Sequence, residues 1–384
     1  MSSQLQLVSI MAPANQEWWW YVGLTSEQVG QYLTQNKAML TSINGYVDTD
    51  NTVKFAVVMA PANGTWWWYA GITAEQVGQY LTQNRAELTN ISAYIDTNRQ
   101  LKFAVTMTPG TGTGWYYGFT GDQVGQHLTQ SKSRLSTISA YVGTDNTVKF
   151  AFAMVPANEE WWWYFGVTAD QVGQYLTQNK AMLTDISPYV DTDNILKFVV
   201  VMAPANQAWW WYFGSLAFVG QQRTNNKARF VTLSPYLSST SDSITINKNP
   251  NISGLNGTAN LTVQKSGAYS FSGGWTPSNV FTGVVSQEVS YVLSVRDNVR
   301  GNLFVFNTSG NVPVEGSYNF NNNGTNASLA EAWQFLSVGY TPDDSCRASL
   351  DIATTIQDVV NWYQQNQQTI NEVVTVVGTV AAAL

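Results

Sequence analysis

Behind Thr25-Ser26-Glu27-Gln28, which has the hydroxyl-to-glutamine spacing of a capping box, the apolar residues Val29, Tyr32, Leu33, Met39 and Leu40 recur at helical spacing. The pattern predicts a helix of roughly four turns. Apolar and β-branched runs follow over Ile43 to Val47 and Thr52 to Met59, and Asp48-Thr49-Asp50-Asn51 between them has the composition of a hairpin turn. Pro61-Ala62-Asn63-Gly64 breaks the chain again, and the block Trp66-Trp67-Trp68-Tyr69 then reads as a third strand ending at Gly71. One unit is therefore three strands and a helix.

The unit recurs. The block Trp18-Trp19-Trp20-Tyr21 returns as Trp66-Trp67-Trp68-Tyr69, Trp115-Tyr116-Tyr117, Trp161-Trp162-Trp163-Tyr164 and Trp209-Trp210-Trp211-Tyr212, about 48 residues apart. Complete strand pairs lie between successive blocks, at residues 40 to 60, 88 to 108, 135 to 155 and 183 to 203. A further pair is split: its second half, Leu5 to Met11, stands at the start, and its first half, Phe230 to Tyr236, ends the array. The array is circularly permuted, and pairing of the two halves would close the first strand onto the last and remove exposed sheet edges. The expected fold of residues 1–238 is thus α+β, a closed, propeller-like ring of five βββα repeats.

The composition shifts near Ser238-Ser239-Thr240-Ser241-Asp242-Ser243, which reads as a linker. Beyond it Leu261 to Val263, Ala268 to Phe271, Val280 to Val285, Tyr291 to Val295, Leu303 to Phe306 and Gly316 to Phe320 have the spacing of strands in a β-sandwich, and Ala327 to Leu336 that of a short helix. The sandwich is expected over residues 239–348. Residues 349–384 form a tail with apolar Ile356, Val359, Val360, Tyr363, Ile370, Val373, Val374 and Val377 against a glutamine-rich face, which predicts one or two amphipathic helices.

With 384 residues, 44% hydrophobic and only 11% charged, the chain has ample core. Its single cysteine, Cys346, excludes an intrachain disulfide, and no apolar run is long enough to span a bilayer as a helix. The start, Met1-Ser2-Ser3-Gln4-Leu5, lacks a basic and then apolar leader, so a cytoplasmic or leaderless secreted protein is expected. A net charge of −7 argues against nucleic acid as a partner, since Lys and Arg supply most of that affinity.

The order of an aromatic block, Gly71-Ile72-Thr73 with Gln76, a helix, and then Leu88 to Tyr94 and a hairpin resembles the bacterial tandem-repeat domain of polyglycine-hydrolase-like proteins. The resemblance covers about residues 2–238 and implies a repeat region that accompanies a serine hydrolase domain of β-lactamase type. The hydrolase is absent: the chain has neither a Ser-x-x-Lys nucleophile motif nor a Gly-x-Ser-x-Gly elbow.

Other catalytic chemistry finds little material. The only histidine, His127, takes the place of Tyr32, Tyr80 and Tyr175 in sister units, and with one His and one Cys no nitrogen or sulfur metal site is expected. The Asp48, Asp50 pair, repeated as Asp191, Asp193, lacks the further ligands and glycine hinge of a calcium loop and reads as turn chemistry. No cofactor is expected, and the chain is read as a non-enzyme.

Binding chemistry is more plentiful. On a strand, Trp18 and Trp20 face one way and Trp19 and Tyr21 the other. Burial on both faces would cement neighbouring units. Alternatively, one ring per unit stays exposed beside amide donors, where the apolar face of a sugar can stack. The residues expected to carry such sites are Trp18, Trp20, Gln28, Gln31, Trp66, Trp68, Gln76, Gln79, Trp161, Trp163, Gln171, Gln174, Trp209 and Trp211. Units one, two and four carry the fullest pattern. The helical glycines Gly30, Gly78, Gly125, Gly173 and Gly220 each cost about 1 kcal/mol relative to alanine, which predicts a close approach there.

The expected function is multivalent, lectin-like recognition of glycans or glycosylated surfaces. A second reading is a membrane-active, toxin-like protein whose tail inserts or oligomerises. A third is a rigid spacer, and self-association stays open in all of them.

Overall fold

A computed structural model describes residues 2–378 except 111–113, 192–194, 241, 253, 279–285, 299, 338–339, 367 and 369. The chain divides into two compact units, one over Ser3–Ser239 and one from Thr240 onward.

In the first unit, strand Trp19–Leu24, helix Ser26–Asn36 and strands Ala38–Val47 and Val53–Pro61 make one module. Its antiparallel sheet has Val53–Pro61 at the centre, with the tryptophan strand and Ala38–Val47 at the edges. The repeating frame is therefore strand, helix, strand, strand, because the helix packs with the tryptophan strand before it and the hairpin after it. Trp67–Ile72, Ala74–Asn84, Ala86–Ile95 and Leu101–Pro109 form the second module, and Trp115–Phe119, Gly121–Ser131, Ser133–Val142 and Val148–Pro156 the third. Trp162–Val167, Ala169–Asn179, Ala181–Val190 and Leu196–Pro204 form the fourth. The fifth has Trp210–Ser215, Leu216–Asn225 and Ala228–Thr240, and the N-terminal strand Ser2–Pro13 fills the centre of its sheet.

The expected capping box is present: the Thr25 side chain accepts from the Gln28 N–H, and Gln28 Oε1 accepts from the Thr25 N–H. The helix is shorter than predicted. It has 11 residues and stops where Lys37 turns left-handed (φ 49°), its N–H bonded to the Leu33 and Thr34 carbonyls. Met39 and Leu40 belong to the next strand, where alternation takes over and Ala38 and Leu40 are buried while Thr41 is exposed. The pairing register shifts between Leu40 and Ser42. This bulge changes the parity of the strand, so Ile43 stays in the core with Leu40 and Ser42 faces outward from it. The shift recurs between Leu88 and Asn90 and between Leu183 and Asp185.

The first three modules do not close their own cores. Leu24, Val29, Leu40, Ile43, Phe55 and Met59 of the first are covered by Tyr94 and Ala104 of the second, with Trp66 and Trp68 packed against them. The second core is completed by Tyr141 and Ala151 of the third module, and the third by Tyr189 and Val199 of the fourth.

Polar side chains at the bulge tie the modules together. The Ile43 N–H donates to Asn90 Oδ1 at 3.0 Å and the Gly45 N–H to Ser92 Oγ at 3.0 Å. Ile91 and Ala93 donate to Thr137 and Ser139, and Ile138 and Ala140 to Asp185 and Ser187. Where Ala93 and Ala140 stand in two modules, the next two have Pro188 and Pro235, which carry no N–H to satisfy. Ser234 Oγ donates to the Ile186 carbonyl at 3.2 Å. Asn44 Nδ2 donates to the Leu233 carbonyl at 3.2 Å, and the Ser42 and Thr232 hydroxyls are 3.3 Å apart. The fifth module thus touches both the fourth and the first. The five sheets nevertheless remain separate, each with its own edges, and form no continuous barrel among the described residues. The expected disappearance of edges is corrected accordingly: side chains cover backbone that strand pairing leaves open.

In the second unit, one sheet holds Ser243–Lys248, Asn251–Ile252, Leu255–Gln264, Ala268–Pro277 and Tyr318–Thr325, and the other Gln287–Asp297, Asn302–Val312, Tyr340–Arg347 and Glu372–Val377. Phe271 and Trp275 from the first sheet share one core with Tyr291, Leu293, Phe304 and Phe306 from the second. Helix Ala327–Leu336 contributes Leu329 and Trp333 to it. The strand expected at Val280 to Val285 lies outside the described residues.

The tail departs from expectation. Helix Ile352–Gln365 buries Ile352, Ile356, Val359, Val360 and Tyr363 against Val292, Leu303 and Val305, on the opposite face of that second sheet. Glu372–Val377 is a strand, not a helix, and pairs in parallel with Asn302–Val312. Its β-branched run Val373-Val374-Thr375-Val376-Val377 favours extended structure. Residues 349–378 therefore belong to the same compact unit as the two sheets, and their apolar face is already covered.

Candidate functional site

The two faces of each tryptophan strand have different partners. Trp19 and Tyr21 turn to their own core, where the Tyr21 ring stacks on Tyr32 at 4.1 Å. Tyr69 on Tyr80 and Tyr164 on Tyr175 repeat the stack at 3.8 Å. Asn36 Nδ2 donates to the Tyr21 hydroxyl at 3.1 Å, and Asn84, Asn179 and Asn226 do the same for Tyr69, Tyr164 and Tyr212. In the third module His127 lies 4.2 Å from Tyr116, filling the tyrosine position.

Repeated glutamines are partly accounted for as well. The side-chain carbonyls of Gln28, Gln76 and Gln171 each accept a backbone N–H, from Thr25, Thr73 and Thr168, at 2.9 Å. Their recurrence follows from helix capping.

The opposite face of the strand turns to the preceding module. Trp18 and Trp20 stand edge-on to Phe230 at 5.9 and 5.1 Å, and Trp211 meets Phe198 at 6.2 Å. Trp66 and Trp68 pack on the first core, and Trp161 and Trp163 on the third. All of these, and Trp209, are half-buried.

An open groove of about 580 Å³ separates helix Gly121–Ser131 from the next tryptophan strand. Asp122, Gly125, Gln126 and Thr129 form its helical wall, and Trp163 and Phe165 the other. The spacing of these residues puts them on one helix face, and alternation puts both rings on one strand face. The same elements meet at other junctions: a β-carbon on Gly30 would lie 3.9 Å from Trp68 Cζ2, and one on Gly125 3.4 Å from Trp163 Cζ2. Gln31, Gln79 and Gln174 hold the repeat position of Gln126 on their own helices. The structure thus joins Gln126 of the third module to Trp163 of the fourth. It does not join Gln28 to Trp20 within a module.

The helical glycines do not mark tight packing. A β-carbon on Gly78, Gly173 or Gly220 would meet nothing within 4 Å. The expectation of a close approach fails at these three, where the helix face looks over open space, whereas Gly30 and Gly125 stand in contact range of a tryptophan.

Burial raises the proton affinity of several core groups. Burial pushes the hydroxyls of Tyr94, Tyr141 and Tyr189 up to about 12 and raises the Asp185 carboxyl, which accepts the Ile138 N–H at 2.9 Å. In the second unit burial raises Asp343 to about 6 and the Cys346 thiol to about 12. The Asp50 carboxylate accepts from the Thr52 N–H and hydroxyl, which is turn chemistry, and Asp193 lies outside the described residues. No cluster of metal-ligating residues occurs among the described residues.

No family model matches the chain, and no curated protein matches it in sequence.

Sequence reasoning missed Tyr117, Phe165, Gly121 and Gln126. The available signal was divergence: the residue after the block tyrosine is Val22, Ala70, Tyr117, Phe165 or Phe213 in successive modules.

Proposed function

We propose that the protein is a multivalent carbohydrate-binding protein whose sites are the grooves between successive modules. The observation that carries this reading is the open groove at Gln126, Thr129, Trp163 and Phe165, where half-buried aromatic faces stand opposite amide and hydroxyl groups. Aromatic faces attract the C–H face of a sugar, and amides bond its hydroxyls. The repeat places a helix and a tryptophan strand in each module, so weak sites at several junctions act together on a surface that carries many copies of the ligand.

We further infer that the modules close into a ring. Its support is the pair of contacts of the fifth module, Ser234 with Ile186 and Asn44 with Leu233. The chain then represents the repeat region of the polyglycine-hydrolase-like proteins without the enzyme. Membrane insertion by the tail has less support, since its apolar residues cover a sheet of their own unit. No helix of the described residues is long and apolar enough to cross a membrane.

The test is a glycan array followed by titration calorimetry of any ligand found. Binding with more than one site per chain is expected, and silence across neutral and charged glycans alike would overturn the reading.

A further inference from the structure

We propose that the effective carbohydrate sites are the two junctions on either side of the third module, the groove at Phe165 and the exposed ring at Tyr117, and that they take a neutral pyranose. This rests on reading the grooves as glycan sites, and goes further by saying which grooves and which sugars.

Only two outer rings are laid open. At the strand position after the block tyrosine, Tyr117 is 46% and Phe165 39% exposed, whereas Phe213 is 5% exposed and the first two modules have Val22 and Ala70. Each exposed ring extends a tryptophan two residues earlier. Trp115 stacks on Tyr117 at 5.5 Å with 19° between planes, and Trp163 on Phe165 at 5.3 Å with 23°. The result is a stacked pair whose outer, exposed ring can take one pyranose face. Exposed aromatic surface of this size is costly to leave in water, and its occurrence at two neighbouring junctions points to an occupant.

The facing helix is adapted to the larger ring. A β-carbon on Gly121 would clash with the Phe165 ring, and the equivalent residues elsewhere are Ser26, Ala74, Ala169 and Leu216. Glycine at this one position lets the phenylalanine stand against the start of the helix.

Charge selects the ligand. Asp122 lies on the helical wall of the groove beside Phe165, and Glu75, bonded to Gln79 at 3.4 Å, holds the equivalent position on the helix of the second module. Carboxylates accept sugar hydroxyls strongly but repel carboxylated or sulfated sugars, as does a chain of net charge −7. The apolar sugar face stacks on the ring, and hydroxyls at its edge reach the carboxylate and Gln126 or Gln79.

The experiment is calorimetric titration of the full chain with methyl glycosides of neutral hexoses and with sialyllactose, for the native protein and for Phe165→Ala, Tyr117→Ala and the double variant. Two neutral glycosides per chain are expected, one lost in each single variant and both in the double, with affinity at least about tenfold weaker. Sialyllactose should not compete. Ala70→Tyr, which places a ring opposite Ser26, should add a site. Binding that survives the double variant, a stoichiometry of five, or preference for the sialylated sugar overturns this inference and leaves the glycan reading standing. Failure of every sugar to bind the native chain overturns both.

Discussion

The two units satisfy the same physical demands by different means. From Thr240 onward, two sheets enclose one large core containing Trp275 and Tyr291, and a helix covers the far side of the second sheet, where Ser290 meets Thr355 and Ser294 meets Tyr363. Core and buried hydrogen bonds are supplied within a single compact body. In the repeat unit each module is too small for that, and its core is finished by aromatic and aliphatic residues of the next. Its exposed edge N–H groups are met by Asn90, Thr137 or Asp185 from the neighbour. Stability in the repeat unit is therefore a property of junctions, as expected when no unit buries its own face.

Removing residues 2–13 should sharpen this contrast most. The fifth sheet would lose its central strand, and with it the junctions to the fourth and first modules. We expect loss of about 5 kcal/mol or more, comparable with the stability of a whole domain, visible as loss of cooperative melting in the near-ultraviolet signal of the tryptophans. Persistence of that transition would mean that the modules stand alone. Next in size is Trp275→Ala in the second unit, where a fully buried ring leaves a cavity worth about 3–5 kcal/mol, measurable by denaturant unfolding. A cost below about 1 kcal/mol would show that this core collapses around the gap.

Asn90→Ala tests a single junction. It strands the Ile43 N–H, and a destabilisation of about 1–3 kcal/mol is expected, with Asn90→Asp retaining the acceptor but burying a charge. The fourth module has made that second change naturally, with Asp185 where Asn90 stands in the second.

Asp185 carries a pH signature. Burial raises its folded-state affinity for a proton above that of the unfolded chain, so the protonated form stabilises the fold most below the ordinary carboxylate value of 3.8. That contribution is lost as pH rises through the raised folded value. Asp185→Asn should therefore be more stable than the native chain at neutral pH, with the gain shrinking toward pH 4; an equal gain at both pH values would assign the effect to packing. The smallest expected change is Gly78→Ala, which meets open space and should raise stability by up to about 1 kcal/mol. A loss instead would restore the close approach that helical glycine first suggested.

Several features were legible because they are local. Thr25 and Gln28 announced a helix start, and Asp48 to Asn51 a turn, since capping and turn chemistry act over a few residues. Met39 and Leu40 misled because a helical and an alternating pattern agree over so short a stretch, and only the left-handed Lys37 separates them. Val373 to Val377 misled in the same way. At the candidate site the tryptophans were visible, but what they meet was not. Trp163 and the glutamine across from it, Gln126, come from different modules, and sequence spacing within one repeat cannot say which neighbour a strand face meets.

What the sequence determined by itself was the period, its circular permutation and the residue types at each repeated position, because duplication and local propensity are written along the chain. Which groups meet was decided by tertiary structure. Gln28 and Asn36 became structural because a cap and a tyrosine hydroxyl claimed them, and Gly125 came to border a groove because the next module's tryptophan strand lies across from it. Tyr117 and Phe165 became exposed for a related reason: burial is set by what lies across a junction, and that residue belongs to another repeat.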